Sequence, residues 1–418
     1  MTQTRTVTVN DRSYAWPSAP LVVICCDGSE PEYMELAMDQ GLMPNLKQIV
    51  GNGTNTRGLS VVPSFTNPNN LSIVTGRPPE VHGISGNFFL DPDSGEEVMM
   101  NDPKFLRAPT IFESFQKAGA RVAVITAKDK LRRLLGNGLK FDGSAIAFSS
   151  EKADEATNAE HGLEKICELV GMDVPEVYSA ELSEFVFAAG VKLLTQFKPD
   201  LMYLSTTDYV QHKYAPGSEG ANAFYKMMDR YLGQLNNAGA IIVLTADHGM
   251  KAKTNSSGEP DVLYLQDLFD DWLGEGQAKV ILPITDPYVV HHGALGSFAT
   301  VYLPDGADAK GLAERLSAQE GIHKVYDGET GCREFELPED RMGDLIIVSR
   351  DSKVLGTRAS EHDLSALKEP LRSHGGITEQ EVPIIVNRAT VNLHKPLRNF
   401  DAFAIGLNHI AEAAQAAE

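Results

Sequence analysis

Short, almost wholly apolar runs recur along the chain at Leu21–Cys26, Ala120–Thr126, Leu201–Ser205, Ala240–Thr245 and Val382–Val386. Continuous runs of this kind predict strands buried on both faces. Stretches with helical spacing separate them, among them Thr110–Ala118, Glu181–Gln196 and Ala221–Asn236. The alternation predicts an α/β protein with a mostly parallel central sheet flanked by helices. In such sheets ligands collect beyond the carboxyl ends of the strands. Asp27, Lys128, Asp208 and Asp247 all lie there, one to three residues past a predicted strand.

Between His248 and His374 the pattern changes. Phe298–Leu303, a helical stretch near Lys310–Gln319, then His323–Tyr326, Arg333–Leu337 and Asp344–Val348 make a smaller α+β set bounded by Gly- and Pro-containing turns. The main pattern resumes with His374 and Val382–Val386. The expectation is a core of residues 1–254 and 371–418 with an inserted cap at 255–370. An alanine-rich C-terminal helix is predicted over Ala402–Ala417.

A length of 418 residues exceeds one ordinary hydrophobic core, which fits that division. With 42% hydrophobic and 22% charged residues the chain is globular rather than disordered. Its net charge of −20, without a lysine- or arginine-rich run, argues against a nucleic-acid partner or an anionic membrane surface. Any basic pocket would be local. Met1–Pro20 lacks the apolar centre of a secretory signal, and no run reaches the roughly 18 apolar residues of a membrane span. Cys25 and Cys26 adjoin on a predicted buried strand, where they would face opposite ways as small apolar residues. Reduced cysteines and the absence of a signal make the cytoplasm the expected location.

Scattered segments carry ligand-type side chains. Asp27 precedes Gly28 at a strand end, and Asp247-His248-Gly249 repeats that design. Asp208 and His212 lie four apart and could share one side of a helical turn. His374 sits in a glycine-flanked turn. Three Asp, three His and Thr66 form a set of oxygen and imidazole donors without thiolate, which suits zinc, manganese or iron. A pair of such ions suits in-line displacement at phosphorus. Thr66 precedes Pro68, Asn69 and Asn70, which open a helix-like Leu71–Thr75 closed by Gly76. Its hydroxyl has two readings: a helix cap, or a nucleophile at a helix end that favours an anionic phosphoryl group. The second needs the metals, because threonine alone is too weakly acidic. Lys128 and Lys130 likewise read as solvated charge or as anion binders; a helix start disfavours bare cations.

Phe65-Thr66-Asn67-Pro68-Asn69-Asn70-Leu71-Ser72-Ile73-Val74-Thr75-Gly76, followed by Pro79-Glu80-Val81-His82-Gly83-Ile84, resembles the nucleophile segment of the alkaline phosphatase superfamily. The likeness is to its nucleotide pyrophosphatase/phosphodiesterase branch. It implies one metal held by Asp27, Thr66, Asp247 and His248 and another by Asp208, His212 and His374. Two Zn2+ are expected, with Mn2+ or Fe2+ as alternatives. It also implies that Asn87 helps hold a phosphoryl oxygen and that His82 is structural. Thr126-Ala127-Lys128-Asp129-Lys130, with Thr-Asn-Pro-Asn at the nucleophile, resembles those members that cleave the carbon–phosphorus bond of phosphonoacetate. That resemblance implies attack by Thr66, a phosphothreonine intermediate, and Lys128 and Lys130 gripping the carboxylate. The leaving carbanion would spread its charge into that carboxylate.

A nucleotide pyrophosphatase or phosphodiesterase is the alternative activity, a phosphoglycerate mutase a weaker one, and a catalytically dead phosphonate sensor the alternative from another class. The partner expected is a small-molecule phosphonate, and a homodimer is compatible with the sequence. His291 and His292 read as surface or packing residues, and Glu361-His362-Asp363 as a solvated face.

Overall fold

The computed structural model describes residues 5–286, 293–365 and 367–411. Among these, seven strands form the main sheet in the order Thr54–Leu59, Glu381–Val386, Ile241–Thr245, Leu21–Cys25, Leu201–Ser205, Val122–Thr126, Ala145–Ser149. The last five run parallel, in the register Ile241↔Leu21, Leu21↔Leu201, Val122↔Leu201 and Val122↔Ala145. Glu381–Val386 and Thr54–Leu59 pair antiparallel at one side. All the predicted strands are present, and two edge strands join them.

Helices cover both faces. Glu181–Gln196 buries Leu182, Phe185, Val186, Ala189 and Leu193, one stripe at helical spacing, against a core shared with Phe224 and Tyr225 of Glu219–Asn237. On the opposite face Leu71, Ile73, Phe112 and Phe403 pack against Leu21 and Val23. Ile111–Lys117 begins where Thr110 accepts the Glu113 N–H, a side-chain cap. Cys25 joins one core and Cys26 the other, as opposite-facing strand neighbours should. All four cysteines, each among the described residues, are free thiols.

Between His248 and His374 the chain builds a second, antiparallel sheet, ordered Lys279–Ile281, Phe298–Tyr302, Leu345–Ser349, Ile322–Asp327. Arg333–Leu337 falls on the end of helix Gly328–Phe335 and the turn after it. This unit has its own core around Phe269, Phe298 and Ile346, which extends to Val62 and Phe65 of the main body. A two-stranded neck, Lys251–Ala252 against Arg372–Ser373, closes its base. The neck lies directly between His248 and His374.

Two expectations change. The C-terminal helix covers only Ala402–Asn408, because Ile410 already bridges Thr390; residues 412–418 lie outside the described residues. The Glu361-His362-Asp363 segment is not merely solvated. His362 is half-buried and joins Thr357 N and Oγ1 through Nε2 and the Gly293 carbonyl through Nδ1. His291 and His292 fall outside the described residues. No helix among the described residues is long and apolar enough to cross a membrane.

Candidate active site

Four parallel strands deliver side chains to one end of the sheet. Asp27 follows Leu21–Cys25, Asp247 and His248 follow Ile241–Thr245, Asp208 follows Leu201–Ser205, and Lys128 follows Val122–Thr126. Asp208 immediately precedes the short helix Tyr209–Lys213, which returns His212 to it at 2.9 Å, Nε2 to Oδ2. His374 Nε2 lies 3.6 Å from the same carboxylate oxygen. His248 Nε2 lies 3.3 Å from Asp27 Oδ1 and 3.9 Å from Asp247 Oδ2. The His248 and His374 rings stack at 3.6 Å.

The donor set fits divalent cations. His212 Nδ1 faces the Arg372 carbonyl at 2.8 Å, His248 Nδ1 that of Gly249 at 2.9 Å, and His374 Nδ1 that of Ser64 at 2.7 Å. A carbonyl only accepts, so each Nδ1 carries a proton, and each Nε2 is the ring atom turned toward a carboxylate. Backbone anchoring of this kind orients metal-binding imidazoles. Asp27 Oδ1 and His248 Nε2 are both buried without a hydrogen-bond partner, 3.3 Å apart. Such a pair is costly unless a proton or a metal cation lies between them. Donor atoms of Asp208, His212 and His374 lie within 4.8 Å of one another, as do those of Asp27, Asp208 and His248. Asp208 thus stands near both groups. Asp247 is more occupied: its Oδ1 accepts the Gly28 and His248 N–H groups, and its Oδ2 accepts Asn70 Nδ2–H at 3.1 Å.

Electrostatics follow from this crowding. Burial, then the charges of Asp208 and Asp247, push the Asp27 carboxyl well up. Burial also raises Asp247. Asp208 is held well below the usual carboxylate range: burial opposes its charge, but the pull of His212, His374 and His248 prevails. His374 is pushed well down by burial and by the neighbouring imidazoles.

Thr66 opens the helix Thr66–Thr75, which begins earlier than its sequence predicts and ends at Gly76 in the left-handed conformation. Phe65 holds the cap position and no side chain caps the helix, so the capping reading of Thr66 does not hold. Ser64 ties this segment to the His374 turn, accepting the Gly375 N–H and donating to the Gly376 carbonyl. Gly375 has φ +118°, and a Cβ there would lie 2.3 Å from the Phe65 ring, so the turn demands glycine. Asn87 Oδ1 accepts the Asn67 N–H at 3.0 Å, which leaves its amide hydrogens to donate. His82 is fully buried between Ser72 and the Ile84 N–H, with its pKa lowered to about 3 by burial; it is structural.

Thr66, Asn87, Lys128, Lys130, Asp27, Asp208 and His374 line one cavity of about 480 Å³. Lys128 is the N-cap residue of Asp129–Leu135, and Lys130 stands in its first turn. Burial lowers the Lys128 pKa, against the opposing charges of Glu151, Asp208 and Asp286. Its ammonium sits 5.4 Å from the Tyr178 ring centre. Lys130 pairs with Asp286 at 3.2 Å.

Several residues of the site escape the sequence reading. Asn70 lies inside the quoted motif; it donates to Asp247 and to the Thr66 carbonyl and accepts from Tyr203 and Ser205. Tyr178 and Asp286 come from loops and carry no local signal. Beside the turns that carry His248 and His374 lies a wholly buried ion pair, Lys253–Glu379, at 2.9 Å. Lys253 also donates to the Asp351 carbonyl, while Glu379 accepts the Gly376 N–H at 2.9 Å and its own carbonyl accepts Gly249 N–H at 2.7 Å.

The chain belongs to the type I phosphodiesterase / nucleotide pyrophosphatase family, whose model matches residues 21–377. Members of this superfamily use divalent metal ions. Within it, the chain is 62% identical, with a TM-score of 0.96, to phosphonoacetate hydrolase from Sinorhizobium meliloti 1021, solved in complex with phosphonoacetate and with phosphonoformate. The match covers 98% of this chain and 100% of that one. Murine ectonucleotide pyrophosphatase / phosphodiesterase 5 shares the fold at a TM-score of 0.63 and 18% identity, over 95% of this chain and 97% of that one. An uncharacterized pyrophosphatase/phosphodiesterase of Schizosaccharomyces pombe is 24% identical over 60% of this chain and 48% of its own length. The chain thus spans about half of that curated relative, and less of the venom phosphodiesterase of Macrovipera lebetinus, at 27%.

Proposed function

We propose that this protein hydrolyses the carbon–phosphorus bond of phosphonoacetate to acetate and phosphate. The observation that carries the reading is the lysine pair, Lys128 and Lys130, on the wall of the cavity that also holds Thr66. A net charge of −20 makes two ammonium groups in one pocket a specific provision for an anion. The 62% identity with an enzyme solved holding phosphonoacetate supports it.

Thr66 Oγ attacks phosphorus from the start of its helix, where backbone N–H groups favour the phosphoryl oxygens. Asn87 donates to one of those oxygens. Divalent cations held by Asp27, Thr66, Asp247 and His248 and by Asp208, His212 and His374 would supply the charge that acidifies the hydroxyl and neutralises the phosphoryl group; the donor set suits zinc, manganese or iron. Lys128 and Lys130 bind the carboxylate, into which the leaving carbanion delocalises its charge. They therefore act where charge grows in the transition state. Hydrolysis of the phosphothreonine frees Thr66. The insertion, 255–370, serves as the cap and adds Ile284 and Asp286 to the wall. Four free thiols suit a reducing compartment such as the cytoplasm.

A nucleotide diester is the second reading, favoured by two aromatic rings at the cavity, Tyr178 and Tyr209. Their centres are 6.0 Å apart, so the rings contact each other rather than sandwich a base. The deciding assay is phosphate release from phosphonoacetate by the zinc-loaded protein, beside bis(p-nitrophenyl) phosphate and methylphosphonate. Preference for phosphonoacetate with methylphosphonate inert is expected, and Thr66→Ala should abolish turnover while metal content stays. Strong diester cleavage with phosphonoacetate untouched would discard the substrate.

A further inference from the structure

Asp286 belongs to the part of the cavity wall that the insertion supplies, a few residues past the strand Lys279–Ile281. Its two carboxylate oxygens lie 3.4 and 3.2 Å from Lys130 Nζ, and its charge is also felt at Lys128. One of the two lysines read as carboxylate binders therefore already holds a carboxylate of this chain. Glu151, on the same wall, is engaged differently: its Oε2 accepts the Asp129 N–H at 2.8 Å.

We propose that Asp286 is an internal competitor for Lys130, displaced by the substrate's carboxylate on entry and returning as the product leaves. The proposal rests on the reading of Lys128 and Lys130 as carboxylate binders. A tethered group acts at an effective concentration in the millimolar range. Phosphonoacetate wins the exchange because it is fixed at two ends, the phosphoryl group at Thr66 and the carboxylate at the lysines. Acetate, once severed from phosphorus, keeps one end only and loses to Asp286. The residue thus selects anions that carry both groups and clears the product from the pocket.

The Lys130–Asp286 pair is part exposed, at 41% and 20%, so breaking it should change affinities by about two- to five-fold, the worth of such pairs. The test uses Asp286→Asn, with Asp286→Ala as a second variant, in the metal-loaded full chain. The inhibition constant of acetate and KM for phosphonoacetate are measured beside KM for bis(p-nitrophenyl) phosphate, an anion without a carboxylate. Acetate inhibition tightening about two- to five-fold in both variants, with a smaller change for the diester, is expected. An unchanged or weaker acetate inhibition overturns the proposal. Equal shifts on the diester, or the same shifts from Glu151→Gln, also overturn it, since a general field would then explain them. Lys130→Ala separates the two levels. If it leaves KM for phosphonoacetate unaltered, the carboxylate reading itself fails; if KM rises while Asp286→Asn leaves acetate inhibition unmoved, only the competitor role fails.

Discussion

Lys253→Met is the most demanding test of how the His248 and His374 turns are held. Lys253 and Glu379 are both buried, 2.9 Å apart, and bridge the neck of the insertion to the turn that carries His374. At an effective dielectric of about 20, two unit charges at that distance attract by about 6 kcal/mol. Much of this offsets the desolvation of both groups, but removing one partner leaves the other charged, buried and unpaired. Such single removals cost about 3–5 kcal/mol. After Lys253→Met, Glu379 retains the Gly376 N–H and the Thr378 hydroxyl, so the lower half of that range is expected. Glu379→Gln should cost a similar amount, since the ammonium then keeps only the Asp351 carbonyl and a neutral amide. The double variant should cost less than the two singles together, because no lone buried charge remains. Urea unfolding at fixed metal content reads the differences as midpoint shifts at unchanged slope. A single-variant loss below about 1 kcal/mol, or strict additivity in the double variant, would refute the reasoning.

Three further outcomes are expected. Asn70→Ala strips Asp247 Oδ2 of its donor and should weaken metal affinity or kcat by about 10–100-fold, read by metal titration; unaltered affinity would contradict that role. Lys128→Ala and Lys130→Ala should reduce phosphonoacetate turnover far more than hydrolysis of an aromatic phosphate ester, and equal losses would argue against carboxylate binding. Burial holds the Lys128 pKa below 10.5, so the ammonium is lost as pH rises through that lowered value and kcat/KM for phosphonoacetate should fall there. Lys128→Arg, charged throughout, should move this basic limb to higher pH, and a limb that stays in place would exclude Lys128 as its source.

The four parallel strands at the centre were legible because burial on both faces leaves no polar positions, as in Leu21–Cys25 and Ile241–Thr245. The edge strand Thr54–Leu59 was not. Its sequence Thr-Asn-Thr-Arg-Gly-Leu is mostly exposed or half-buried, and only its pairing with Glu381–Val386 makes it a strand. Metal-type side chains announce themselves by chemistry and by their place after strands, so Asp27, Asp208, Asp247 and the histidines could be gathered from sequence. The supporting contacts could not. Asn70 matters through Tyr203 and Asp247, 133 and 177 residues away, and Asp286 through Lys130, 156 residues away.

The neck Lys251–Ala252 against Arg372–Ser373 has a consequence for the order in which the enzyme comes into being. During synthesis Asp27, Thr66, Asp208, His212, Asp247 and His248 all emerge before the insertion, and His374 only after it. The last imidazole reaches its partners when the excursion has been made and its two feet have paired. A chain halted between the two feet therefore holds Thr66 without His374. Convergence of these side chains thus waits until the second foot, Arg372–Ser373, has been made.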